Sequence, residues 1–233
     1  MRNGFRLLVF DWDGTLMDSV GTIVACTRQA IRDLGLEECP EERVRRAIGL
    51  GLDESLAIFF PGCDPVSGAE VGRRVATRYR ELWLEVYKDQ PALFPGAAET
   101  LAALAAAGHL LAVATAKSRR GLERELDKTG LAATFHASRT MDECPAKPHP
   151  GMLLELMDEL GARPDSTLMI GDTAWDLGMA RNAAAGAVGV LTGSHSRAEL
   201  ESAAPLACLA SVRELPAWLA GRSPAAAPSS IQP

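Results

Sequence analysis

The sequence predicts an α/β fold: an open parallel sheet covered by helices, with a helical segment inserted after the first strand. Three observations lead there. Short apolar runs of strand length recur at wide intervals, each is followed by a helical pattern, and one long interval breaks that rhythm. Near-continuous apolar strands, as opposed to alternating ones, indicate burial on both faces of a parallel sheet. Strand–helix alternation then implies right-handed crossovers.

The runs are Leu7-Leu8-Val9-Phe10, Leu110 to Ala114, Thr167 to Ile170 and Ala187 to Leu191. Between them, helices are expected at 97–107, 119–129 and 150–160, ending at Gly108, Gly130 and Gly161. Glycine adopts the left-handed conformation that stops a helix at little cost. No convincing strand occurs between the first run and the helix at 97. That interval reads as four amphipathic helices. Asp18 can cap the first, which runs to Gly35 with Val20, Ile23, Val24, Ile31 and Leu34 on one face. Pro40 suits the start of the second, carrying Val44 and Ile48, and Asp53 can cap a third through Leu56 and Phe60. A longer helix around 69–87 aligns Val71, Val75, Tyr79, Leu82, Trp83 and Val86 in one stripe. The aromatic residues of this segment read as bundle core. The final segment, 221–233, has the composition of a loose tail.

Length and composition agree with this layout. At roughly 150 residues per domain, 233 residues suggest about one and a half domains. With 47% apolar and 23% charged residues the chain can bury a sizeable core. Its net charge, 24 − 30 = −6, and the absence of a long basic run argue against a nucleic-acid or anionic-membrane reader. Cys26, Cys39, Cys63, Cys144 and Cys208 are odd in number and contain no C-x-x-C pair. That pattern argues against a disulfide framework or zinc knuckle and for a reducing, cytoplasmic setting. No signal-peptide core or membrane span is expected.

Polar residues fall where the strands end: Asp11 after the first, Thr115 after the second, Asp172 after the third. Open parallel sheets bind ligands beyond the carboxyl ends of their strands. Asp11 and Asp13 are two apart and followed by Gly14, so both acids can address one ligand while the backbone turns close to it. Neighbouring carboxylates split their proton affinities, so one can attack while the other serves a leaving group. Read alone, the same residues also fit a solvated acidic turn. A calcium loop does not fit, because its glycine belongs at the sixth position and here it is the fourth. Asp172 and Asp176 fit a helix N-terminus as well as a ligand pair. Four carboxylates on one edge repel one another without a cation, and oxygen-only ligands favour Mg²⁺ over Zn²⁺. Thr115 suits either a strand-end cap or a ligand contact. Lys147, held between Ala146 and Pro148, is either a surface lysine or a compact cation balancing carboxylates and a phosphate.

Taken together, these segments resemble the haloacid dehalogenase superfamily of hydrolases. DWDGTL at 11–16, VATAK at 113–117, KPHP at 147–150 and IGDTAWD at 170–176 look like its four motifs in order. Within it the likeness is to phosphoglycolate phosphatase-like proteins, including Gly-Leu-Gly-Leu at 49–52. The resemblance implies a Rossmann-like three-layer core formed by residues 1–17 and 91–220, with an α-helical cap domain at 18–90. It implies a Mg²⁺-dependent phosphatase acting on a small phosphate monoester, 2-phosphoglycolate first. The alternatives are a sugar-phosphate mutase of the β-phosphoglucomutase type, or a phosphatase for another sugar phosphate, a nucleotide or pyrophosphate. Asp11 would be the nucleophile and Asp13 the acid/base, with Lys147 restraining Asp11. The Asp13 backbone carbonyl, Asp11 and Asp172 would hold the metal, with Asp176 either a further ligand or a support to the ligands. Thr115 and Lys147 would hold phosphoryl oxygens. With Gly14, Ala116, Lys117 and, from the cap, Arg46 and Gly49, Thr115 makes up the expected substrate-binding set. Asp13 argues against a dehalogenase, whose leaving group needs no proton. Few cap lysines argue against a phosphonate-cleaving relative. Arg45 and Arg46 could reach a substrate carboxylate but read more readily as solvated arginines, as do Arg119 and Arg120, and His149 reads as a packing or capping residue. The expected partner is a small phosphorylated metabolite, bound by a monomer or weak homodimer.

Overall fold

The computed structural model describes residues 4–62 and 65–222. Among them, six parallel strands form one sheet in the order β5-β4-β1-β6-β7-β8. They are β1 (Leu7–Phe10), β4 (Leu110–Thr115), β5 (Ala137–Thr140), β6 (Thr167–Gly171), β7 (Gly186–Val190) and β8 (Ala207–Leu209). A two-residue ribbon, β2 (Met17–Asp18) against β3 (Ala92–Leu93), joins core and insert.

Side chains alternate across the sheet and both faces are apolar. Leu8, Phe10, Val113 and Ile170 point to one face and meet helices α5 (Ala97–Ala106), α6 (Arg119–Thr129) and α10 (Leu215–Arg222). Leu7, Val9, Ala112 and Met169 point to the other and meet α7 (Gly151–Glu159), α8 (Ala174–Asn182) and α9 (Arg197–Ser202). This is the three-layer arrangement, and it explains why the central strands read as unbroken apolar runs. Phe10 is in register with Val113 on one side and Ile170 on the other. The next residue, Asp11, therefore emerges between β4 and β6 at the carboxyl edge.

The insert consists of α1 (Val20–Asp33), α2 (Glu41–Ala47), α3 (Leu52–Phe59) and α4 (Pro65–Leu82), ending in a π-helical turn, Trp83–Tyr87. Val20, Val24, Ile31, Val44 and Leu56 share a buried cluster.

Several sequence expectations are corrected. β5 and β8 were not anticipated, because the sequence Ala-Ser-Arg-Thr is polar and β8 is three residues long, both at sheet edges. The ribbon was missed because two-residue strands leave no periodicity. Ser19, not Asp18, precedes α1, since Asp18 is taken up by β2. Gly51, not Asp53, precedes α3. Val86 is 54% exposed, because the π-helical turn rotates it off the stripe. Gly221 and Arg222 close α10; residues 223–233 and Cys63 lie outside the described residues. No described helix is long and apolar enough to cross a membrane.

Candidate active site

Three strand ends supply the site. Asp11 follows β1, with its N–H donating to the Ile170 carbonyl at 2.9 Å. Asp172 follows β6, and Asp176 sits in the first turn of α8. Oxygen atoms of Asp11, Asp172 and Asp176 all lie within 4.8 Å of one another, and all three residues are buried. Lys147 is only 1% exposed, and its Nζ donates to Asp11 Oδ1 at 2.7 Å and Asp176 Oδ1 at 2.6 Å. A buried lysine needs such partners.

Asp172 and Asp176 have further partners. Asp172 accepts from the Thr15 hydroxyl at 2.8 Å and the Ser194 N–H at 2.8 Å. Asp176 accepts from the Thr173 N–H at 3.1 Å and its hydroxyl at 2.6 Å, forming a capping box at the start of α8. Asp176 is thus both a helix-capping residue and a member of the carboxylate cluster. Glycines admit this crowding. A Cβ on Gly14, whose φ is +84°, would stand 2.5 Å from Asp172 Oδ2. A Cβ on Gly193 would stand 1.9 Å from the same atom.

Burial dominates the electrostatics. It pushes the Asp11 carboxyl up to about 7; Lys147 opposes this and Asp176 adds to it. Burial, followed by the charges of Asp11 and Asp176, raises Asp172 well above the usual carboxylate range. Burial works against the Lys147 ammonium, but Asp11 and Asp176 more than reverse it and hold the lysine charged. With three carboxylates against one lysine, the oxygen donors are one-sided in charge and would be relieved by a cation. That donor set and charge fit a hard divalent cation.

Asp13 stands apart. Its carboxylate accepts from Lys117 Nζ at 3.1 and 3.2 Å and from the Ser19 hydroxyl at 2.6 Å. It does not join the cluster around Lys147 and has its own set of partners. Lys117 is engaged with Asp13 and, at 3.0 Å, with Glu125. Thr115 closes β4 and is buried, its hydroxyl accepting from the Lys117 N–H at 3.2 Å across Ala116.

The insert covers this edge. A Cβ on Gly49 would lie 3.4 Å from Thr173 Oγ1 and 3.5 Å from Trp175 Cδ1. Trp175 Nε1 donates to the Arg46 carbonyl at 3.1 Å. The Arg46 guanidinium turns away to Glu199 at 3.8 Å, Arg45 pairs with Glu41 at 2.9 Å, and Arg119 braces Ser138 and Glu143. His149 accepts from the Gly151 N–H at 3.1 Å at the start of α7. Two clefts, of about 390 and 410 Å³, open on the insert, beside Arg28 and Tyr87 and beside Phe59 and Phe60. Neither is lined by the carboxylates.

Sequence reasoning missed Thr15, Ser19, Glu125, Thr173 and Ser194. Glu125 had a signal: it occupies the apolar stripe of α6 beside Leu122 and Leu126, and all three are buried. The others carry ordinary hydroxyl positions with no such mark.

Known proteins resemble the chain throughout this region. The haloacid dehalogenase-like hydrolase family matches residues 8–190. A protein of Dickeya dadantii named probable phosphatase IndB is 37% identical over 203 residues, 85% of this chain and 86% of that one. A phosphoglycolate phosphatase of Mannheimia succiniciproducens is 30% identical over 198 residues, 83% and 88% of the two chains. The crystal structure of a hydrolase from Pseudomonas syringae superposes with a TM-score of 0.79 at 27% identity, covering 93% of this chain and 99% of that one.

Proposed function

Because the chain belongs to the haloacid dehalogenase-like hydrolases and is a phosphoric monoester hydrolase among them, we propose that it is a Mg²⁺-dependent phosphatase for a small metabolite, with 2-phosphoglycolate as the first candidate. The observation that carries this reading is a division of labour among carboxylates. Asp11, Asp172 and Asp176 are gathered around Lys147, while Asp13 is held separately by Lys117 and Ser19.

In the proposed reaction an Asp11 carboxylate oxygen attacks phosphorus and the ester P–O bond breaks. Asp13 gives its proton to the departing alkoxide, leaving an aspartyl-phosphate. Asp13 then takes a proton from water, whose oxygen bonds to phosphorus as the Asp11–phosphorus bond breaks. Lys147 fixes the direction of Asp11 and offsets phosphoryl charge, and Thr115 meets a phosphoryl oxygen once substrate enters. Asp11, Asp172 and Asp176, with the Asp13 backbone carbonyl, would hold Mg²⁺, which when bound supplies neutralisation of the crowded oxygens. The insert, through Gly49 and its neighbours, would shape the substrate end and exclude water. Relatives named phosphoglycolate phosphatase support the substrate choice. Free Cys26, Cys39, Cys144 and Cys208 support a cytoplasmic setting.

The test is phosphate release over a panel of phosphate monoesters with and without Mg²⁺. A Mg²⁺-dependent preference for 2-phosphoglycolate is expected. Activity indifferent to EDTA would overturn the metal assignment, and an isomerised sugar phosphate without free phosphate would make the chain a mutase.

A further inference from the structure

The environment of Lys117 departs from that of a simple substrate contact. An ammonium has three donors, and three carboxylate oxygens surround this one: Asp13 Oδ1 and Oδ2 at 3.1 and 3.2 Å, and Glu125 Oε1 at 3.0 Å. Its side chain is 11% exposed. The other Glu125 oxygen accepts from Trp12 Nε1, and Trp12 is the residue between Asp11 and Asp13. Asp13, Lys117, Glu125 and Trp12 therefore form a closed brace that begins and ends on the same three-residue segment.

The insert touches this brace near both of its ends. Ser19, immediately before α1, donates to Asp13 Oδ1. Trp83, in the π-helical turn near the exit, lays its ring 5.2 Å from Lys117 Nζ and stacks on Tyr79 with centroids 5.8 Å apart. A cation beneath an indole face is attracted to it and shielded from water. Lifting the insert would remove the indole and admit water, which would weaken the hold on Asp13.

We propose that Lys117 is a positioning residue for Asp13, backed by Glu125, and that Trp83 makes this positioning depend on the insert being seated over the core. This rests on the phosphatase reading above. It deepens that reading by tying closure of the insert to the acid/base step alone.

Leaving groups separate the roles. An alkoxide must be protonated as it departs, whereas 4-nitrophenolate departs without help, so only the alkyl ester needs Asp13 in the first step. The probes are 4-nitrophenyl phosphate and whichever of 2-phosphoglycolate, glycerol 3-phosphate and glucose 6-phosphate the wild-type chain hydrolyses best. In Lys117→Met, kcat/KM on the alkyl ester is expected to fall about 100-fold, and on the aryl ester to stay within about threefold. The aryl ester should also show a burst of about one nitrophenolate per chain, because hydrolysis of phosphorylated Asp11 still needs Asp13. Lys117→Arg should restore part of the alkyl activity. Glu125→Gln and Trp83→Leu should show the same selectivity at about tenfold, and they decide the matter if Lys117→Met folds poorly. Equal losses on both esters, or selectivity without a burst, would overturn the proposal. A wild-type chain inert toward every ester overturns the phosphatase reading first and the proposal with it.

Discussion

Lys147 and Asp11 form an ion pair of 2.7 Å in which the lysine side chain is wholly buried and the aspartate nearly so. The pair aims one carboxylate oxygen at the edge where three strands end, and the same ammonium holds Asp176 on its far side. A carboxylate kept in place by a neighbour needs little reorganisation before it attacks.

Asp11→Asn is therefore expected to lose phosphate release by at least about 10³-fold. Its fold should remain intact, since Lys147 keeps Asp176. Circular dichroism and the melting temperature should be unchanged or raised, because a carboxylate disfavoured by burial has been removed. Substantial turnover, with deamidation excluded by mass, would remove Asp11 from the nucleophile role.

Lys147→Met keeps the volume but strands Asp11 and Asp176 without their cation. Breaking a buried pair costs about 3–5 kcal/mol, and urea unfolding at neutral pH should show a loss of that order. The deficit should shrink as pH falls below about 7, where protonation relieves Asp11. An equal deficit at every pH would mean that packing, not charge, was lost.

The stability of the cation-free chain should carry a signature of Asp11. Its folded pKa is raised from 3.8 to about 7, so folding is favoured by the protonated form. That contribution is whole below 3.8 and is lost as pH rises through about 7. Melting in EDTA should therefore show wild type losing stability relative to Asp11→Asn across this window, and added Mg²⁺ should reverse the loss. A difference between the two chains that does not change with pH would contradict the raised pKa.

Gly14→Ala places a methyl group 2.5 Å from Asp172 Oδ2 at a φ of +84°. Backbone strain of this kind costs about 1–3 kcal/mol. The displaced carboxylate should raise the Mg²⁺ needed for half-maximal activity by about tenfold or more. Gly130→Ala is the control: its φ is +70° but nothing lies within 4 Å, so it should lose stability without changing the Mg²⁺ requirement.

The central layer of the fold was legible because parallel strands buried on both faces must be apolar throughout, as Leu7–Phe10 and Leu110–Thr115 are. The convergence of Asp11, Asp172 and Asp176 was legible for the same reason, since a parallel sheet brings its strand ends to one edge. Edge strands are under weaker demands, and Ala137–Thr140 shows this in its half-buried polar residues. The partners of the Asp13 carboxylate were not legible, because Lys117 and Ser19 reach it from other segments of the chain. Lys147 illustrates a third case. Its confinement before Pro148 was visible, but only the tertiary structure shows whether the segment faces water or Asp11.

The sheet order has a consequence for how the molecule assembles. β1 is made before both of its partners, Leu110–Val113 and Thr167–Ile170. Closing such distant contacts is slow and entropically costly. The helices of the insert meet one another within residues 20–82 and can collapse as soon as they are made. During synthesis, the strand leading to Asp11 therefore waits for both partners, and the edge that carries Asp11 and Asp172 is complete only once β6 has been made.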